Sequence, residues 1–248
     1  MTWKTHLIGG ATAGVLLASY MNTDAVESAL IISSSALGSV LPDIDHQRSK
    51  LAQGDAVVGL LSSAVCRFTK HRGFTHTIPG ALSFAALAYI LMMFSTARDA
   101  MIGIMSAFSG FILLQLFGTL RRYSVMLALA AYMAAPRIAD YASTKAIDLS
   151  FSPETAKICA FGVFAGAASH IVYDIFNKKG APLLWPIYKK PLHLASIRTR
   201  GIGEGIFACI MMCVLAAVIV ETTDDLSVLP MLRNLIDGLK MQSLGKLL

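Results

Sequence analysis

K-I-C-A-F-G-V-F-A-G-A-A-S-H-I-V-Y-D-I-F, residues 157–176, reads as one continuous apolar helix. A helix of that length rises about 30 Å, the thickness of a bilayer's hydrocarbon core. Ser169, His170 and Asp174 are set into it. His170 and Asp174 stand at i and i+4, so they share one face about a turn apart. An ionisable pair at such a position is costly unless it faces a protein interior or an aqueous cavity. Two readings follow: a structural His–Asp hydrogen bond between packed helices, or a pair of metal ligands.

The whole chain agrees with the stretch. Of 248 residues, 55% are hydrophobic and 15% charged, and mean hydropathy is +0.63. Soluble domains carry about 25% charged residues, so the expected class is an all-α polytopic membrane protein forming a single domain over 1–248. The net charge of +6 is weak support for a nucleic-acid partner. In a membrane protein it marks cytoplasmic loops and contacts with anionic headgroups. The four cysteines, Cys66, Cys159, Cys209 and Cys213, form no C-x-x-C pair and suggest neither disulfides nor a thiolate site.

Further apolar runs cover 7–21, 25–41, 78–97, 101–118, 123–135 and 203–220, which with 157–176 makes about seven spans. The first two are rich in Gly, Ala and Ser, which lets helices approach closely in lipid. Lys4 followed by Leu7–Tyr20 resembles a signal peptide, but no small-x-small cleavage site follows, so an uncleaved first helix is expected. Pro42 should end the second helix. Asp55 reads as the cap of a short amphipathic helix with Val57, Leu60, Leu61, Ala64, Val65 and Phe68 on one face, suited to the membrane surface. Gly73 is its expected stop, and residues 136–155 are polar enough to be a loop. Residues 226–248 suggest a second amphipathic helix. Loops 42–77 and 177–202 carry five and six Lys or Arg, and with Arg121 and Arg122 they alternate to one side, assigned as cytoplasmic.

That side also collects the polar chemistry. V-L-P-D-I-D-H-Q (40–47) and K-H-R-G-F-T-H-T (70–77) hold Asp43, Asp45, His46, His71 and His76. His6 sits at the mouth of the first run. Imidazole mixed with carboxylate suits divalent metals. Asp43 and Asp45, at i and i+2, could grip one ion or bridge two, or simply cap a solvated loop. His46 is a ligand or orients a carboxylate. His71 and His76, five apart around Gly73, need a turn to meet, with Thr75 and Thr77 as hydroxyl partners. Arg72 could hold a phosphate oxygen or snorkel to the surface. His6 alone reads as interfacial, and His193 as a headgroup contact.

P-D-I-D-H (42–46), H-R-G-F-T-H-T (71–77) and S-H-I-V-Y-D with G-A-P-L-L-W-P (169–174, 180–186) together resemble the LexA-regulated, membrane-bound, metal-dependent hydrolase family of bacterial inner membranes, the YdjM-like proteins. The resemblance covers roughly 3–190. Gln47 and Asn177 depart from the Pro and Thr often found there, and neither removes a presumed ligand. The family also carries a His near its N-terminus, which strengthens His6. It implies hydrolase activity and SOS-linked expression, without a substrate. The ligand types are also similar, more loosely, to those of zinc-dependent phospholipase C.

The resulting expectation is a membrane-embedded hydrolase of a phosphoester in a lipid or lipid-linked substrate, in the bacterial inner membrane. One to three divalent ions, Zn²⁺ first and Mn²⁺ or Mg²⁺ as alternatives, would be held by His6, Asp43, Asp45, His71, His76, His170 and Asp174. Asp45, His46 and Arg72 would assist catalysis. Membrane lipids are the expected partners, and no nucleic acid. The rival class is a non-catalytic metal-binding membrane protein or an ion transporter.

Overall fold

The computed structural model describes residues 1–47, 49, 56–69, 72–93, 153–188 and 190–223. Among these, regular structure is helical, and no strand occurs beyond two isolated bridges. The helices are α1 (Trp3–Met21), α2 (Ala25–Gly38), α3 (Ala56–Phe68), α4 (Ile78–Met93), α5 (Pro153–Ile175) and α6 (Ile202–Thr223). Two 3-10 turns, Pro42–Asp45 and Phe74–His76, carry the polar motifs.

α1 and α2 form a hairpin whose turn is written in three residues. Asn22 takes a left-handed conformation (φ 50°, ψ 46°) that closes α1. Thr23 Oγ1 shares a 2.9 Å hydrogen bond with Ser28 Oγ. Asp24 then caps α2 by accepting from Glu27 N at 2.8 Å.

The centre of the bundle is a waist of small residues where α1, α2 and α5 meet. Ser35 Oγ donates to the Gly10 carbonyl at 2.7 Å. A Cβ at Gly166 would lie 1.8 Å from the Ser35 carbonyl oxygen, so no larger residue fits there. In lipid, burial from water does not drive helices together; close packing and interhelical hydrogen bonds do. Ile31, Val163 and Ile171 fill the spaces around this waist. Apolar side chains also point outward, among them Leu16, Leu82, Ile90 and Ile210, as a bilayer-facing surface requires.

Several boundaries differ from expectation. α2 ends at Gly38 rather than running to 41: Pro42 has no N–H to offer the Gly38 carbonyl, which accepts from Leu41 N at 3.3 Å instead. Pro42 also opens the first 3-10 turn, where a missing N–H costs nothing. α5 begins at Pro153, inside the segment expected to be loop, again with proline in the first turn. Gly73 does not stop α3, which ends at Phe68; it precedes the second 3-10 turn. In α3, Leu60 and Phe68 are exposed while Ser62 is buried, so its apolar face turns away from the protein.

Among the described residues, α5 alone is long and apolar enough to cross a membrane; Ile78–Met93 and Ile202–Ala217 are shorter apolar helices. The 14-residue α2 rises only about 21 Å. Asp55, runs 101–118 and 123–135 and helix 226–248 lie outside the described residues, so the seven-span count is not reached.

Candidate metal centre

The bundle's alternating directions put one end of four helices together. His6 stands in the first turn of α1, Asp43 just beyond α2, His76 just before α4 and His170 and Asp174 near the end of α5. His6, His76, His170 and Asp174 are buried, and Asp43 is partly exposed.

Four side-chain atoms face one another. His76 Nε2 lies 3.7 Å from Asp43 Oδ1 and 3.6 Å from Asp174 Oδ2. His170 Nε2 lies 3.7 Å from Asp43 Oδ1 and 3.8 Å from Asp174 Oδ2. Those separations are too long for hydrogen bonds. They are slightly wider than the edges of about 3.3–3.6 Å that follow from tetrahedral bonds of about 2.0–2.2 Å to zinc. His170 Nε2 is buried without a hydrogen-bond partner among the described residues, which a protein rarely tolerates unless something else satisfies it. The residues therefore fit a divalent metal.

The far side of each ring is fixed. His170 Nδ1 donates to the Ser39 carbonyl, leaving Nε2 as the lone-pair nitrogen. His76 Nδ1 lies 3.4 Å from Asp45 Oδ2 and 3.1 Å from Thr75 Oγ1. Thr75 Oγ1 donates to Asp45 Oδ2 at 2.6 Å, as does Arg72 N at 3.0 Å. Such backing of a histidine by a carboxylate sets its tautomer and raises its basicity. Burial opposes charge on His76, but the neighbouring carboxylates of Asp43 and Asp45 outweigh it and raise the pKa to about 9. Burial likewise works against the Asp43 carboxylate, yet the His170 and His76 rings beside it hold it well below the usual carboxylate range.

A second group adjoins the first. His6, Asp43 and His170 offer ligand atoms within 4.8 Å of one another. The His6 ring stacks on His170 with centroids 3.6 Å apart and planes 14° from parallel. Asp174 faces both groups, Oδ1 toward His6 Nε2 at 3.7 Å and Oδ2 toward His76 and His170. One carboxylate thus addresses two adjacent positions.

The candidates from sequence divide accordingly. His6, Asp43, His76, His170 and Asp174 converge. Asp45 sits behind His76 rather than beside the shared point, because its Oδ2 is drawn to Thr75 and the Arg72 amide. Arg72 is not a free cation: Nη2 meets Asp174 Oδ1 at 3.0 Å and Nη1 donates to the Gly180 carbonyl at 2.6 Å. His46 is partly exposed on the wall of the adjoining cavity. His71 lies outside the described residues. His193 is exposed, with Nε2 3.4 Å from Ser196 Oγ.

Two contributors escaped the sequence reading. The Ser39 carbonyl has no sequence signal at all. Glu204, in the first turn of α6, accepts from Thr2 N, from Thr5 Oγ1 at 2.8 Å and from Arg200 N at 2.6 Å. It ties the start of α1, and so His6, to the start of α6. Its only sequence signal is an acid at a helix N-terminus.

The cluster opens into a cavity of about 740 Å³ whose walls include Lys4, Lys178, Lys179, Arg198 and Arg200. No solved structure matches the chain. "Uncharacterized protein YvsG" of Bacillus subtilis (strain 168) is 37% identical over 78 residues, which is 32% of this chain. The match spans 45% of that relative's own length. The YdjM inner membrane protein family matches residues 1–228, and with an apolar helical bundle and its buried His/Asp end in view, the chain belongs to that family of inner membrane proteins.

Proposed function

We propose that this protein is a metal-dependent hydrolase embedded in the inner membrane, acting on a phosphoester in a lipid or lipid-linked substrate. The observation that carries the reading is the buried His170 Nε2, without a hydrogen-bond partner among the described residues, which with His76 Nε2 faces two carboxylates beside an open cavity. A divalent metal held by His76, His170, Asp43 and Asp174, with a second beside His6, would lower the pKa of water and stabilise charge on phosphoryl oxygens. Zn²⁺ suits the ligand types and spacing; Mn²⁺ and Mg²⁺ are alternatives.

The chain's own residues have separate tasks. Asp45 and Thr75 hold the His76 ring, and Ser39 holds that of His170. Arg72 orients Asp174 and keeps a positive charge beside the centre. His46 contributes from the cavity wall. The basic loops assign the site to the cytoplasmic face. The seven-span topology and LexA-linked expression belong to this same reading.

The test is metal analysis and phosphate or headgroup release by the purified protein in lipid. Release should require metal, stop with chelator and be lost in His170→Ala. Release unaffected by both chelator and that substitution would sink the mechanism. The burial of His6, His76 and His170 also suits a non-catalytic metal-binding membrane protein. That rival predicts a fall in thermal stability on metal removal with no turnover of any phosphoester.

A further inference from the structure

The cavity beside the cluster is larger and more positive than a single phosphodiester requires. About 740 Å³ lies within the range of about 300–1,000 Å³ typical of small-molecule sites. Its walls carry Lys4, Arg72, Lys178, Lys179, Arg198 and Arg200 against the carboxylates of Asp43 and Asp174. Arg72 is committed to Asp174. The other five cations have no ion-pair partner among the described residues. Any bound metal adds further positive charge. A monoanionic diester would leave most of that charge unmatched, while a headgroup with two adjacent phosphates would use it.

The wall is also held in place. Leu194 N and Ile197 N donate to the Ile175 and Phe176 carbonyls at 2.9 and 3.1 Å, closing the end of α5. Asn177 Nδ2 donates to Thr199 Oγ1 at 3.3 Å. Lys178, Lys179, Arg198 and Arg200 are therefore carried on segments fastened to the helix that bears His170 and Asp174. The same lobe exposes Ile187 and Leu194, 93% and 68% accessible. Apolar side chains beside a basic wall are suited to an interface between headgroups and acyl chains.

We propose that the cavity recognises a diphosphate group: the His/Asp end takes the terminal phosphate, and the wall built from Lys178, Lys179, Arg198 and Arg200 grips the neighbouring one. This rests on the hydrolase reading for turnover and makes the bond broken a phosphoanhydride rather than a phosphoester, but the recognition itself does not depend on turnover. In hydrolysis the oxygen of water bonds to the terminal phosphorus, and the bond from that phosphorus to the bridging oxygen breaks. Water's two protons are then shared between the released phosphate and the phosphomonoester left behind.

The test uses the full chain in vesicles, with binding measured before turnover. Methylenediphosphonate, which cannot be hydrolysed, should bind at least about tenfold more tightly than methylphosphonate. Lys178→Gln, Arg198→Gln and Arg200→Gln should each erode that preference several-fold, while Lys190→Gln, on the exposed surface and away from the wall, should not. Equal binding of the two probes, or equal losses from Lys190→Gln and the wall variants, would overturn the proposal. Vesicles containing a lipid with a diphosphate headgroup, compared with free pyrophosphate, then identify the source. Preference for either over phosphatidylglycerol supports the recognition, and no preference over phosphatidylglycerol refutes it. If methylenediphosphonate binds through the wall but no phosphate is ever released, the hydrolase reading fails and the recognition stands.

Discussion

The small-residue waist and the polar end of the same bundle are built on opposite principles. At the waist, Gly10, Ser35 and Gly166 bring three helices into backbone contact with no charge involved. At the end, His6, Asp43, His76, His170 and Asp174 stand 3.6–3.8 Å apart across gaps sized for a cation. The waist depends on shape and cannot accept a methyl group. The end depends on charge, and keeps its shape because the waist places the helices and because Ser39 and Asp45 hold the rings from behind. The Ser39 contact joins the two: Ser39 lies one turn beyond Ser35 on α2, packs against Gly10 and Gly166, and accepts from His170.

The comparison is sharpest at Gly166. Gly166→Val should be the most damaging single change, destabilising by about 3 kcal/mol or more through forced separation of α2 and α5. Thermal unfolding in detergent should show it, and metal binding should fall along with it. His170→Ala tests the other principle. It should leave a folded bundle but weaken metal binding by at least about 100-fold, read by equilibrium titration. If it unfolds the protein as badly as Gly166→Val, the two regions are not separable.

Asp45→Asn should act one layer out, weakening metal binding by about 10–100-fold while the metal-to-protein ratio at saturation is unchanged. The pH dependence follows from His76, raised from 6.5 to about 9. Its protonated form, paired with Asp43 and Asp45, stabilises the metal-free fold fully below pH 6.5, and that contribution is lost as pH rises through about 9. Metal must displace the same proton, so apparent affinity should climb with pH up to about 9 and then level off. A titration flat from pH 6.5 to 9 would remove His76 from the ligand set. Ser35→Ala is the mildest test: loss of one interhelical hydrogen bond, worth about 0.6 kcal/mol, with metal affinity nearly unchanged.

The candidate site was legible to the extent that its residues announce themselves against an apolar background. His170 and Asp174 needed only helical spacing, and the P-D-I-D-H and H-R-G-F-T-H-T stretches stood out by type. Their division of labour was not legible. Asp43 and Asp45 look equivalent in sequence, yet the 3-10 turn sends Asp43 toward the shared point and Asp45 behind His76. Arg72 looked free and is bound to Asp174. Helix ends were less legible, as at Pro153, where α5 begins inside a polar stretch that reads as loop.

By itself the sequence determined the solvent and the donor chemistry: an apolar chain for a membrane, with imidazole and carboxylate kept for one end. Hydropathy and residue type are local properties, readable without coordinates. Tertiary structure alone decided which donors share a point and which stand behind them. It also turned the basic residues after α5 into the wall of one cavity. Those outcomes depend on helix approach distances set by Gly166 and Gly10, and on backbone carbonyls such as that of Ser39, which every residue possesses and no sequence pattern marks.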